Sequence, residues 1–242
     1  VIVERVSGKS MNEFAQEHIF KPLGMSNTFF QDDHTQIIKN RASGYSPSAK
    51  GFKLDMSNWD EVGDGNVYTS VEDLYLWDQA FYTNKLGKDL MDMLQTTGAL
   101  NNGKKLDYAA GLVISEYKGL KTVSHGGAWV GFRAGLVRFP EQKFSVACLA
   151  NLSNINPSGL CMKVADIYLS ELFQETPKGP QKKPEPISLS KQELEEKAGN
   201  YQDDKFGIWV TLSVKEEKLL MAAMGQELLL SPISKTRFQA LD

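Results

Sequence analysis

The chain has 242 residues, a length that suits one large domain or one domain with an appendage. Hydrophobic residues make up 41% and charged residues 24%, so a packed core is within reach and wholesale disorder is excluded. A net charge of −3 argues against a nucleic-acid partner, no apolar run approaches the ~18 residues of a membrane span, and two cysteines, Cys148 and Cys161, exclude a disulfide scaffold or a four-cysteine zinc site.

The sequence opens on Val1 in mid-pattern, with no charged start, apolar stretch and cleavage site, so no signal peptide is expected in it. Ser10 and Glu13 form a capping box, and Met11, Phe14, Ala15, His18 and Ile19 follow at helical spacing. His18 is expected to be packed on the apolar stripe of that helix. The helix is predicted to stop at Lys21, since the residue before Pro22 is pushed out of the helical region. Residues 31–66 show little periodicity and read as a long irregular excursion of the kind that often borders a site. Ser70 and Asp73 suggest a second capping box. The helix that follows shows a face of Val71, Leu74, Trp77 and Phe81, interrupted by one acid, Asp78. A short helix is expected near Leu90, Met93 and Leu94.

From Tyr108 the pattern changes to strands. Residues 110–117, 120–124, 131–139 and 144–151 read as antiparallel strands joined by short turns. A helix from about Pro157, with Leu160, Val164, Ile167, Tyr168 and Leu172 on one stripe, should lie on that sheet. Four prolines, three lysines and a glycine mark a linker over 176–186. Beyond it Val210, Leu212 and Val214 alternate, Lys215 to Lys218 turn the chain, and residues 219–224 return as a hairpin. Residues 238–242 read as a strand cut short, so the chain is expected to be a portion of a longer protein. The expected fold class is α+β: an antiparallel sheet flanked by helices over 1–175, then a small partial β domain over 187–242.

Among the three histidines, His34 follows Asp32 and Asp33 in a polar loop, but consecutive side chains rarely converge on one ion, and no metal or other cofactor is expected. His125 stands out. It ends a predicted strand and is followed by Gly126 and Gly127, where the missing Cβ atoms let a ligand approach the backbone. Trp129 and Phe132 stand just beyond. A Gly-Gly bulge in an edge strand accounts for the same pattern. Both cysteines read as small buried hydrophobes, with a disulfide open only if their two elements meet.

Several stretches, in order, carry a resemblance. They include Val3-Glu4-Arg5-Val6-Ser7-Gly8-Lys9-Ser10, Ile19-Phe20-Lys21-Pro22-Leu23-Gly24-Met25, Ala42-Ser43-Gly44-Tyr45, Tyr68-Thr69-Ser70 with Asp73-Leu74, and His125-Gly126-Gly127 with Gly131-Phe132. Over about residues 1–173 the chain resembles the serine β-lactamase and penicillin-binding-protein-like family, in its class C and D-alanyl-D-alanine carboxypeptidase-like branch. That family combines Ser-x-x-Lys, Tyr-x-Asn and a third motif, Lys-Thr-Gly or His-x-Gly. The resemblance implies that His125-Gly126-Gly127 is the third motif and that Ala128 offers its backbone N–H to an oxyanion hole. His125 and Ala128 are then the catalytic contributions, and Gly126, Gly127 and Trp129 border the substrate.

The first two motifs are expected before residue 1. The short matches at Ser115-Lys118, Ser188-Lys191 and Tyr82-Asn84 lack the required context. The resemblance implies a serine hydrolase working through an acyl-enzyme on β-lactams, D-amino-acid peptides or esters, outside the cytoplasm, with this chain inactive alone. A non-catalytic relative that binds cell-wall peptides or a protein partner is the alternative. The region after the linker resembles a lipocalin-like β appendage, through Leu194, Ala198-Gly199, Tyr201 and the hairpin around Glu216. A sheet short of strands can recruit a neighbour's strand, so a homodimer is a further expectation.

Overall fold

The computed structural model describes residues 1–174, 186–202, 209–223 and 226–240. The chain divides into two compact units, Val1–Thr176 and Pro177–Asp242. All of the expected linker except Pro186 lies outside the described residues.

The first unit opens with helix α1 (Ile2–Ser7), which buries none of its residues. Helix α2 (Met11–Ala15) starts at the expected capping box: the Ser10 hydroxyl accepts from the Glu13 N–H, and the Glu13 carboxylate accepts from the Ser10 N–H. The helix does not stop at Lys21. A π-helical turn (Gln16–Phe20) leads into α3 (Lys21–Leu23), with the Lys21 N–H donating five residues back to the Gln16 carbonyl. In a regular α-helix the Pro22 ring would clash with the carbonyl four residues earlier, and the widened turn relieves that clash. The extra residue also rotates His18 off the core face. Instead of packing inside, it is exposed beside the Phe14 ring, 4.4 Å between centroids.

Strands β1 (Phe29–Phe30), β2 (Tyr45–Ser48), β3 (Gly51–Leu54) and β4 (Val67–Tyr68) are short. β2 pairs with β3, and β1 with β4, so the excursion is irregular apart from one hairpin. Helix α4 (Val71–Thr83) begins with only half of the predicted capping box. The Ser70 hydroxyl accepts from the Asp73 N–H, but the Asp73 carboxylate is buried and turned away. It accepts from the Asn27 N–H and the Thr28 hydroxyl, each at 2.7 Å, and so ties α4 to the turn after α3. Helix α5 (Lys88–Leu94) buries Met91. Ala15, Phe20, Leu23, Met25, Phe30, Ala80, Phe81 and Met91 form one core.

Strands β5 (Val113–Tyr117), β6 (Leu120–Trp129), β7 (Phe132–Phe139) and β8 (Phe144–Ala150) form an antiparallel meander in that order. Asp78, the acid that interrupts the apolar face of α4, meets Arg138 of β7. Arg138 Nε donates to Asp78 Oδ1 at 2.5 Å, and both side chains are at most 3% exposed. The guanidinium lies over the Phe81 ring at 4.0 Å, and its Nη1 has no hydrogen-bond partner among the described residues.

Helix α6 (Pro157–Tyr168), capped by the Asn156 side chain, covers the other face of the sheet with a different stripe from the one predicted. Cys161, Ala165 and Leu169 are buried against Leu120, Val137 and Phe139. Leu160, Ile167, Tyr168 and Leu172 are exposed. The reason is close approach. A Cβ at Gly135 would stand 3.0 Å from the Ser158 nitrogen, so the helix backbone rides directly on the sheet, where only small side chains fit. The two elements carrying the cysteines meet, yet both thiols are free. A 3₁₀ turn (Ser170–Leu172) ends this part of the chain.

The second unit holds helix α7 (Lys191–Glu195), with its own Ser190–Glu193 capping box, and an antiparallel sheet of five strands. These are β9 (Gly199–Gln202), β10 (Trp209–Lys215), β11 (Lys218–Ala223), β12 (Gln226–Pro232) and β13 (Phe238–Ala240). The predicted alternation holds: Val210, Leu212 and Val214 are partly buried between exposed neighbours. Leu194, Leu219 and Leu230 make a small core of their own. The fold class is therefore the expected α+β, with a β unit at the C-terminal end.

Candidate functional site

The site is built on β6, and its origin is a difference in length between neighbouring strands. β5 pairs with residues 120–124 only, its last partner being Ser124. β7 pairs with β6 as far as Trp129, without a bulge. His125 therefore does not end the strand, and the Gly-Gly pair is neither bulged nor on an outer strand. From His125 to Trp129, β6 is paired on the β7 side alone among the described residues.

The register says which main-chain groups face the open side. Trp129 and Phe132 flank a two-residue turn and so form a hydrogen-bonded pair, as then do Gly127–Ala134 and His125–Leu136. The alternation leaves the N–H and C=O groups of Gly126 and Ala128 pointing away from β7, into the gap that β5 leaves. The Ala128 N–H is thus a main-chain donor that a ligand entering this gap can reach.

Side chains alternate as well, so His125, Gly127 and Trp129 share a face. Glycine in the middle leaves a bare floor between the two rings, which stand roughly 13 Å apart along the strand. At one end, His125 Nε2 is 2.9 Å from the Tyr108 hydroxyl, and His125 Nδ1 is 2.6 Å from the Gly126 carbonyl oxygen. At the other end, the Trp129 indole N–H donates to the Ser57 hydroxyl at 2.9 Å, and Trp59 meets Trp129 edge-on with centroids 5.9 Å apart. Tyr108, Trp59 and Trp129 are each about half exposed, so the aromatic surface is open to solvent.

The excursion over residues 31–66 is thus brought to the site, as its length suggested. It is fastened where two glycines cross. A Cβ on Gly131 would lie 2.3 Å from the Tyr45 nitrogen and 2.7 Å from the Asp55 oxygen, and one on Gly44 2.8 Å from the Phe132 ring. The Gly131 N–H donates to the Asp55 carbonyl and the Asp55 N–H to the Gly44 carbonyl. Val130, the first residue of the turn, has φ 44°, a left-handed value that a β-branched residue adopts only under constraint. The Arg133 guanidinium braces that turn by donating to the Val130 and Phe132 carbonyls.

The structure brings together His125, Gly126, Gly127, Ala128 and Trp129, as one strand must. Sequence reasoning missed Tyr108, Ser57 and Trp59. Trp59 carried a signal, a large aromatic in an otherwise polar loop. Tyr108 and Ser57 carried none.

The short motif matches do not assemble a second site. Ser115 lies within β5, the Lys118 ammonium is paired with Asp166, and the Tyr82 hydroxyl is buried beside Arg138. His34, Asp33 and Asp60 do converge, with ligand-capable atoms within 4.8 Å of one another. All three are exposed and bonded to each other or nearby: His34 Nδ1 is 2.9 Å from Asp60, and the Asp33 carboxylate accepts from Thr35. These bonds hold both carboxyls below the usual carboxylate range, through the His34 backbone N–H at Asp60 and the Thr35 hydroxyl at Asp33. A polar depression lined by Lys9, Asn12, Glu13, Gln16, Glu17 and Lys21 lies on the first helical segment, not at His125, and is crossed by the Lys9–Glu17 ion pair. No helix among the described residues is long and apolar enough to cross a membrane.

Comparison with known proteins gives three results. A family model described as beta-lactamase matches residues 1–163. Penicillin-binding protein 4* of Bacillus subtilis (strain 168) is 29% identical across 98% of this chain and 56% of its own length, and a D-aminopeptidase of Brucella anthropi is 24% identical across 69% and 32%. Among solved structures, an octameric penicillin-binding protein homologue from Pyrococcus abyssi superposes with a TM-score of 0.64 at 24% identity, covering 95% of this chain and 52% of that one. A penicillin-binding protein from Bacillus halodurans gives 0.58 at 22%, covering 71% and 52%. The chain thus spans about half or less of the length of these relatives.

Proposed function

The chain belongs to the beta-lactamase family, and on that premise we propose that it forms the strand side of the acyl pocket of a serine hydrolase. The observation that carries this reading is the uncovered edge of β6, where the Gly126 and Ala128 amides face a gap between two aromatic walls. The Ala128 N–H donates to the oxygen on which charge develops as the acyl group is attacked. Such a donor acts on the transition state more than on the ground state, and that difference raises the rate. His125 stands beside the reacting group as an electrostatic partner or proton carrier. Gly126 and Gly127 admit the substrate backbone, and Trp129 bounds it.

The substrate class proposed first is a D-amino-acid amide or peptide, in line with the names of the relatives, with β-lactams and esters as chemically related acyl donors. The attacking serine and its lysine belong to the part of the family domain that this chain does not span, so the 242 residues alone perform no acyl transfer. Residues 1–175 serve as the hydrolase portion and 187–242 as a lipocalin-like β appendage, working outside the cytoplasm. Self-association through the incomplete sheet is part of the same reading.

The test is a titration of isotope-labelled chain with D-alanine amide, followed by amide signals. Gly126, Ala128 and Trp129 are expected to shift together, and treatment with a β-lactam or a fluorophosphonate is expected to leave the mass unchanged. Shifts confined to other residues, or an acyl adduct mapped to a serine of this chain, overturn the proposal.

A further inference from the structure

We propose that Tyr108 is a positioning residue that fixes both the tautomer and the orientation of His125, an inference that rests on the reading of His125 as one wall of the acyl pocket. A carbonyl oxygen only accepts, so the 2.6 Å contact between His125 Nδ1 and the Gly126 oxygen requires a proton on Nδ1. In the neutral ring the lone pair then sits on Nε2. The Tyr108 hydroxyl, 2.9 Å away, must donate to it. Free imidazole side chains favour the opposite tautomer, with the proton on Nε2, so the surroundings must supply the preference.

The Gly126 carbonyl can do so because the register leaves it unpaired by β7. Tyr108 can do so because its own backbone is held. It bridges to Val113 at the start of β5, its carbonyl accepts from the Gly98 N–H at 3.3 Å, and the Asp107 carbonyl beside it accepts from the Ile114 N–H at 2.7 Å. The phenol ring also meets the imidazole edge-on, at 63° with centroids 5.9 Å apart, a packing contact beside the hydrogen bond.

One chemical consequence follows. With both ring nitrogens engaged, neutral His125 has no spare lone pair for a substrate. The Tyr108 oxygen does, so a substrate N–H or a water meets the pair at the phenol and reaches the imidazole through it. Tyr108 thereby also holds the ring against rotation over the bare floor at Gly127.

The experiment uses the full chain labelled with ¹⁵N-histidine, whose three histidines are distinguished by losing one signal pair each in H18N, H34N and H125N. In wild type at alkaline pH, His125 Nδ1 is expected in the protonated-nitrogen region and Nε2 in the lone-pair region. Tyr108→Phe keeps the ring and removes the hydroxyl, and is expected to lower the Nδ1–H to Nε2–H ratio by roughly two- to tenfold, the range that one hydrogen bond of ordinary net strength sustains. Wild-type His125 protonated on Nε2, or a ratio unchanged in Y108F, overturns the inference. The readout needs no catalysis. The D-alanine amide titration therefore tests the acyl pocket, and the nitrogen shifts test Tyr108.

Discussion

Asp78→Ala is the sharpest test of how the sheet is held against α4. In the folded protein the Asp78 carboxylate and the Arg138 guanidinium are both almost fully buried, and the ion pair is joined by a weaker contact from Arg138 Nη2 to the Asp78 carbonyl at 3.5 Å. Removing the carboxylate leaves a buried cation without a counter-charge, which costs about 3–5 kcal/mol. The Phe81 and Tyr82 rings, 4.0 and 5.1 Å from the guanidinium carbon, soften that cost because cation–π attraction persists in the variant. Asp78→Asn keeps volume and an acceptor oxygen and should lose less, about 1.5–3 kcal/mol. Replacing both partners with apolar side chains, as in D78L/R138M, should restore stability to within about 1 kcal/mol of wild type or exceed it, since neither charge is then desolvated. The assay is urea unfolding followed by tryptophan fluorescence, with Trp77 stacked edge-on against Phe81 as a local reporter. D78A is expected to lower the midpoint by roughly 1–2 M. A D78A loss below about 1 kcal/mol, or a double variant as unstable as the single one, would show that the pair is not what holds α4 in place.

Four further outcomes are expected. Val130→Asn relieves the left-handed strain at the site hairpin and raises stability by about 1 kcal/mol, read from the urea midpoint; a loss of that size would mean that the valine side chain is needed for packing. Gly131→Ala forces a Cβ into the backbone of residues 44–55, so the excursion detaches and the Trp129 fluorescence shifts towards that of a solvated indole. The Cys161 thiol is pushed up to about 11 by burial, from 9.0. Its contribution to stability is then whole below about pH 9 and is lost as pH rises to about 11, because the unfolded thiol ionises first; Cys161→Ser should flatten that part of the urea-midpoint profile, and iodoacetamide should modify Cys148 before Cys161. In the whole protein, His125→Ala is expected to lower kcat/KM by ~10²-fold or more, and unchanged kinetics would remove His125 from the mechanism.

Local chemistry was legible in the sequence and tertiary closure was not. Ser10 and Glu13 announced a helix start because both partners of the capping box lie within four residues. Ser70 and Asp73 show the same spelling, yet Asp73 answers to Asn27 and Thr28, which no local pattern reveals. The acid in the α4 face was visible as an anomaly, but its partner stands sixty residues away on β7. For α6, side-chain size pointed to the wrong stripe. Large apolar residues mark a buried face only where there is room for them, and Gly135 had removed that room. The strand through His125 ran on beyond its predicted end because two glycines carry no alternation to read. Of the candidate site, the run from His125 to Trp129 is one contiguous stretch of sequence, whereas Tyr108 reaches it from one loop and Ser57 and Trp59 from another.

The crossing of Gly44 and Gly131 limits how this molecule can change. Each glycine is bare because the other strand of chain passes against it, so a side chain gained at either position must be matched by a retreat at the other. Neither can drift alone. Loop grafting meets the same rule: a substitute for residues 44–55 taken from a relative will seat only if the tip of its own β6–β7 hairpin travels with it. Variation in the aromatic wall around Trp59 should accordingly be inherited in step with the hairpin tip, as a single exchangeable cassette.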